Sequence, residues 1–371
     1  MQVFGPNELQ EDVLKKGLCV GCGACVGLCP YFKTYKGKTA MLFPCTLTQG
    51  RCHAFCPKTE VDLEELAQRY WGKSYEGTPL GEHQEIVRAR AGDRMGPGPY
   101  QAGGTVSALL AQAFKSGLVE AAVLTDRQEL VPVPRLARSL EEAARCASSK
   151  YMAAPTLAAY NQALAEGLSR VGVVGTPCQV TALAQMRANP LQRDDFRDAA
   201  AMVIGLFCTW ALDTRGLIRL LADRLDTGRI KKMDLPPPPS EIMVLETEDG
   251  RVEVPLSEIR PLVPAGCHIC PDMTSEWADL SVGVVEGQPD WNTLIVRTRR
   301  GRDLVEQAKA DGMLVTEPMP ADNLANLNLA AGNKKKRAWA RTREDGLLNS
   351  DGEGRRSAIR VPVRVVESID S

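Results

Sequence analysis

From about residue 80 onward, apolar positions follow two alternating rhythms. Short dense runs such as VGVVG at 171–175 and MVIGLF at 202–207 have the length and β-branched content of buried strands. Segments such as TVSALLAQAFK and GLIRLLADRL instead repeat their apolar residues every three or four positions, as helices do. The pattern predicts a strand from Ile86, a helix over about Thr105–Lys115 and a strand over about Val119–Leu124. A helix, SLEEAARCASSKY, follows and is expected to end near Lys150. Next come a strand at Gly172, a turn, a helix TALAQMRA and a second strand ending on Cys208. EIMVLETEDGRVEVPL alternates on either side of Asp249-Gly250 and predicts a hairpin. The prolines at 236–239 predict an extended connector, and WADLSVGVVEG and DWNTLIVRTRRG predict two further strands. Strands alternating with helices imply an α/β core with a mixed sheet.

The first 75 or so residues read differently, with short loops around clustered cysteines and then one helix, VDLEELAQRYW. GKSYEGTPLGEHQ supplies a linker. The expected division is 1–78, a small α+β unit, then 79–332, the α/β domain, then 333–371, a basic C-terminal extension. Its run NKKKRAWARTRED reads most simply as a solvated helix end.

Composition narrows the function. The 371 residues are 44% hydrophobic and 25% charged, with a net charge of −1, so the overall balance implies no polyanionic partner and no nucleic acid. No apolar run is long enough to span a membrane, and MQVFGPNELQEDVLKKGLCV lacks the pattern of a secretory signal, so a cytoplasmic location is expected. Twelve cysteines in such a chain predict metal or redox centres rather than a disulfide framework.

Seven cysteines fall between 19 and 56. LCVGCGACVGLCPYF places Cys19, Cys22, Cys25 and Cys29 at the C-x2-C-x2-C-x3-C-P spacing by which bacterial ferredoxins wrap a cluster. In that pattern the cysteine before proline ligates the opposite cluster. Cys19, Cys22, Cys25 and Cys56 are then expected to hold one 4Fe-4S cluster in a ferredoxin-like iron-sulfur domain. Cys29, Cys45 and Cys52 remain as a three-thiolate set for a 3Fe-4S cluster, a 4Fe-4S cluster with another fourth ligand, or none. His53 beside them reads as a surface or supporting residue rather than a ligand.

A second constellation lies in the α/β domain. Cys178 and Cys208 follow two strands and are expected at the carboxyl edge of the sheet. Cys267 and Cys270, in AGCHICPD, add a C-x2-C hook, making four thiols for one 4Fe-4S cluster. AGGT before the helix at Thr105 suits a phosphate or is a plain helix entry. Cys146 reads as a buried packing thiol.

Taken in order, GGTVSALL, SSKYMAAP, VGTPCQVTALAQMR, GLFCTW, AGCHICPDMTSEWADLSVG and DWNTLIVRTRRG resemble the beta-subunit family of deazaflavin-reducing hydrogenases and deazaflavin-linked formate dehydrogenases, over about residues 80–330. The chain is also similar to the plant 7-hydroxymethyl chlorophyll a reductase, which joins this core to a ferredoxin-like module. The resemblance implies FAD and a 4Fe-4S cluster on Cys178, Cys208, Cys267 and Cys270. It places flavin contacts near Gly103, Gly104 and Thr105, near Lys150 and Tyr151, and on the Thr176-Pro177 turn. Gln101-Ala102 and Thr209-Trp210 depart from the family's usual residues, so the carrier pocket is expected to differ.

The expected function is an oxidoreductase subunit. FAD would exchange a hydride with a soluble carrier, a deazaflavin or a nicotinamide, while clusters pass single electrons to partner subunits of hydrogenase, formate dehydrogenase or disulfide-reductase type, or to ferredoxin. The alternatives are a self-contained ferredoxin-dependent reductase of a small organic substrate and, from another class, a zinc-stabilised binding module.

Overall fold

Eight strands form the central sheet of the protein, a computed structural model that describes residues 2–237, 239–350, 352 and 356–370. They are β1 (Glu85–Ala91), β2 (Ala121–Gln128), β3 (Val131–Ala137), β4 (Val171–Gly175), β5 (Ala200–Leu206), β6 (Leu280–Val285), β7 (Gln288–Val296) and β8 (Leu314–Pro318). Their order across the sheet is β8-β1-β7-β6-β5-β4-β2-β3. The neighbours β2, β4, β5 and β6 run parallel. The flanking pairs are antiparallel, so the sheet is mixed as expected.

The helices that matter for the site are α1 (Thr105–Lys115), α2 (Leu157–Ala165), α3 (Pro177–Ala188), α4 (Arg299–Ala310) and α5 (Ala321–Glu344). α1 begins and ends where the apolar period predicted. One face of the sheet packs with α1 and α4 through Leu109, Ala113, Leu304 and Ala308. The other face shares a single apolar core with α2, α3, the N-terminal unit and the C-terminal segment, including Phe32, Leu66, Leu157, Leu183, Trp277 and Trp339. The hairpin Ile242–Thr247 and Gly250–Pro255 forms as predicted, joined by Ile230–Asp234 into a three-stranded sheet. Of the connector at 236–239, Pro238 lies outside the described residues.

Several expectations are corrected. β3, VPVPRLA, carries prolines at 132 and 134 that hide it from a strand search; it sits at the sheet edge, where the missing N–H groups break no ladder. The helix before Lys150 spans only Leu140–Arg145. Ser148 and Tyr151 take positive φ, 81° and 56°, which ends it, and the Lys150 ammonium donates to the carbonyls of Cys146, Ala147 and Ser148. The basic run is no solvated helix end: Lys334 and Lys335 are 6% and 2% exposed inside α5. α5 runs through position 332, and the short strand Ile359–Arg360 then pairs with Val61–Asp62 of the N-terminal unit.

Candidate functional site

β4 and β5 deliver two of the thiols. Cys178 is not at a strand end but in the first turn of α3. Thr176 caps that helix with Gln179 in a reciprocal box, and Pro177 opens it, so the chain turns helical four residues earlier than the apolar pattern indicates. Thr176 Oγ1 lies 3.4 Å from Cys178 Sγ. Cys208 follows β5 by two residues, and its N–H donates to Met273 O at 2.9 Å, which draws the hook back over the carboxyl end of the sheet. The hook is further held by Asp272, whose carboxylate accepts the N–H groups of Thr274, Ser275 and Glu276. Buried Arg297 ties Thr274 to the carbonyls of Leu80 and Glu82, so the residues read as a linker are fastened to the site.

The four thiols lie within one electrostatic field. Burial pushes Cys178 up to about 12; the Thr176 hydroxyl opposes this, and the charges of Cys270 and Cys267 add to it. Cys208 is raised by burial, held back by Lys334, and raised again by Cys267, Cys178 and Cys270. Lys334 donates to Cys208 O at 2.6 Å and to Asp272 O at 2.7 Å. All twelve cysteines are free thiols. Among the described residues no three His, Cys, Asp or Glu side chains converge tightly enough for a single metal ion. Four half-buried thiols whose charges act on one another, with a cation beside them, fit the wider cage and negative charge of an iron-sulfur cluster, whose binding would displace the thiol protons.

In the N-terminal loop, burial raises Cys22 well above the usual thiol range, and Cys178, Cys56 and Cys25 add to it. Cys25 is raised by burial and then by Cys56, Cys19 and Cys52. Cys56 is pushed up to about 12 by burial, against the Lys58 N–H, with Cys19 adding. Cys52, pushed to about 11 chiefly by burial, has Cys29 and Cys45 in its field. Cys19, Cys22, Cys25 and Cys56 thus act on one another, Cys52 lies in the field of Cys29 and Cys45 and also acts on Cys25, and the charge of Cys178 reaches Cys22. His53 is buried and lowered to about 4 by burial; its Nδ1 accepts the Phe4 N–H at 3.5 Å.

Two glycines set the spacing between the thiol groups. A side chain at Gly266, beside Cys267, would meet Leu18 O at 2.0 Å; one at Gly23, where φ is +85°, would meet Pro155 O at 2.4 Å. A strip from Tyr151 to Leu157 runs along this contact. Leu157 N–H donates to Cys22 O, Gln179 Nε2 donates to Ala154 O and Thr156 Oγ1, and Leu212 N–H donates to Tyr151 O.

The segments assigned to flavin meet at the far end of the strip. Gln101 joins them: its Oε1 accepts the Ser149 N–H at 3.0 Å and its Nε2 donates to Met233 O. Tyr151 donates to Asp234 Oδ1 at 3.1 Å. Gly103 abuts Asp290 O and Ala89 O, and Gly104 (φ +79°) lies under the Tyr100 ring. Thr105 N–H donates to Asn292 Oδ1, leaving the N–H groups of Val106 and Ser107 in the first turn without an intrahelical acceptor, as a phosphate requires. Burial lowers Lys150 to about 8. The Thr176-Pro177 turn reaches these segments through the strip. Sequence reasoning missed Asp234, which lies in no motif, and Asn292, which lies in DWNTLIVRTRRG but was not singled out, and noted Gln101 only as a departure. Cys146 is buried, with Glu142 O 3.7 Å from its sulfur.

Among the described residues no helix is long and apolar enough to cross a membrane. Residues 86–161 match the family model for the N-terminal part, and 168–322 that for the C-terminal part, of the coenzyme F420 hydrogenase/dehydrogenase beta subunit. The chain is 30% identical to the coenzyme F420 hydrogenase subunit beta of Methanothermobacter thermautotrophicus, over 70% of this chain and 94% of that one. It is 26% identical to the coenzyme F420-dependent sulfite reductase of Methanocaldococcus jannaschii, over 79% of this chain and 46% of that one. It also superposes on a chain of the F420-reducing [NiFe] hydrogenase complex from Methanosarcina barkeri with a TM-score of 0.67 and 28% identity, covering 72% of this chain and 93% of that one. These relatives are oxidoreductases. The chain is thus an oxidoreductase subunit of the electron-transfer type and belongs to the coenzyme F420 hydrogenase/dehydrogenase beta-subunit family.

Proposed function

We propose that the chain is an iron-sulfur flavoprotein subunit that exchanges a hydride between FAD and a soluble carrier, and single electrons with the iron-sulfur chain of a partner redox complex. The observation that carries this reading is the close approach of the two cysteine-bearing loops, with Gly266, beside Cys267, lying against Leu18 O, beside Cys19. When bound, the flavin and the clusters supply two-electron and one-electron chemistry respectively.

The chain's own residues place and insulate these groups. Cys178, Cys208, Cys267 and Cys270 would hold the core cluster, and Cys19, Cys22, Cys25 and Cys56 the N-terminal one. Cys29, Cys45 and Cys52 would carry a further cluster toward the partner. Gly103, Gly104 and Thr105, with Lys150 and Tyr151, would seat the FAD, and Thr176-Pro177 would stand between flavin and cage. The working division is 1–78 for the ferredoxin-like unit, 79–332 for the FAD- and cluster-binding domain and 333–371 for the extension. Coenzyme F420, which the relatives' names carry, is the first carrier to test; a hydrogenase, formate dehydrogenase or disulfide-reductase subunit is the expected partner.

Purified anaerobically, the protein should be brown, contain about eight or more irons, and release FAD on denaturation. A colourless, zinc-containing preparation would remove this reading.

A further inference from the structure

We propose that Lys58 and Lys334 set the reduction potentials of the clusters: Lys58 for the core and N-terminal clusters together, Lys334 for the core cluster alone. The inference rests on the cluster reading above. Both lysines lie outside the stretches matched by the family models, 86–161 and 168–322.

Lys58 is 5% exposed, two residues beyond Cys56. It lines a cavity with Cys178, Cys270, Asp272, Tyr75 and Trp277. Its charge acts on Cys56 of the N-terminal group and on Cys178 and Cys267 of the core group, which places it between the two. Two carboxylates line the same cavity: Asp272 is engaged by three backbone N–H groups, and Glu276 is paired with Lys335. Lys334 approaches from α5 on the side of Cys208, with its ammonium between Cys208 O and Asp272 O, and its charge acts on Cys208 and Cys267.

A buried ammonium is costly unless a negative charge compensates it. Beside Asp272, the thiolates, and a cluster bound on them, supply negative charge in reach of both lysines. A cluster gains one negative charge on reduction, so a fixed cation beside it stabilises the reduced form and raises its potential. Each transfer between the clusters moves one electron, one cluster being oxidised as its neighbour is reduced, with no bond made or broken. A cation shared by both raises both potentials and keeps the step between them small; a cation on one side only makes that side the better acceptor. Lys58 therefore acts on the pair, and Lys334 biases electrons toward the core cluster.

The test is an anaerobic redox titration of the full chain followed by EPR, with iron per chain measured alongside. Lys58→Met should lower both midpoints, each by about tenfold in the reduction equilibrium, which is about 59 mV for a one-electron couple. Lys334→Met should lower the core midpoint alone by a similar amount. Lys58→Arg should restore both midpoints to within a small fraction of the Lys58→Met shift. Unmoved midpoints in Lys58→Met with the iron content intact overturn the proposal, even where Lys334→Met fails to fold. A wild-type chain that binds no cluster overturns it together with the reading beneath it, and iron analysis tells the two failures apart.

Discussion

The two sets of thiols proposed as cluster cages are built in opposite ways. The N-terminal cage draws Cys19, Cys22 and Cys25 from one loop, with glycines between them giving the backbone the left-handed turns it needs, at Gly21 and Gly23. The core cage draws Cys178 from α3, Cys208 from beyond β5, and Cys267 and Cys270 from a hook. It then depends on Arg297, on Asp272 and on Lys334 from a helix more than sixty residues further along the chain. A cage that takes three of its four thiols from one loop, with Cys56 added from further along, needs less beyond its own spacing. A cage made from several elements is only as precise as the packing that brings them together.

The comparison can be broken most directly at a ligand. Cys208→Ala should remove about four irons and stop electron exit while FAD stays bound and the N-terminal EPR signal survives; full electron transfer would show the core cage to be merely structural.

Next in size is the support at a distance. Lys335 pairs with Glu276 and donates to Tyr75 OH at 3.1 Å, all three buried. Lys335→Met should destabilise the chain by about 3–5 kcal/mol, because it strands the Glu276 carboxylate. Anaerobic denaturant unfolding measures this, and the core EPR signal should disappear before the N-terminal one. Simultaneous loss would erase the contrast between the cages.

A smaller effect is expected where the cages touch. Gly266→Ala forces a methyl group against Leu18 O and should cost about 1–3 kcal/mol. Iron content should be retained and electron exchange between the clusters slowed. Equal rates would mean that the close approach of the two loops is incidental.

The smallest effect separates loop from cage. Burial lowers Lys150 from 10.5 to about 8, so between those values the unfolded chain binds more protons, and stability should rise with pH across that window. Lys150→Met should flatten that slope, of order 1–2 kcal/mol, without changing either EPR signal. Thermal unfolding at pH 8 and pH 10 measures it.

Much of the fold was legible because strands and helices here are long and regular in period. α1 and the hairpin at 242–255 were read directly, and the mixed sheet followed from their alternation with other strands. The misreadings have physical causes. Pro132 and Pro134 are tolerated only because β3 is an edge strand, which local sequence cannot indicate. The helix before Lys150 stops at Arg145 because Ser148 and Tyr151 turn left-handed, although SLEEAARCASSKY reads as a continuous helix. Lys334 and Lys335 sit in a run that resembles any solvated helix end; three of its members are lysines, and only the packing of α5 shows which two are buried.

By itself the sequence determined the chemistry: twelve thiols, one loop spaced to wrap a cluster, and a C-x2-C hook with two further cysteines after strands. Ligand type and short-range spacing are local properties, carried by consecutive residues. Tertiary structure decided the arrangement: that Gly266 beside Cys267 meets Leu18 beside Cys19, that Gln101 and Asp234 join the segments assigned to flavin, and that Lys58 and Lys334 enter the field of the thiols. Those relations depend on where distant elements pack. The charge a buried lysine exerts depends on its separation from the thiols in space, which no spacing along the chain encodes.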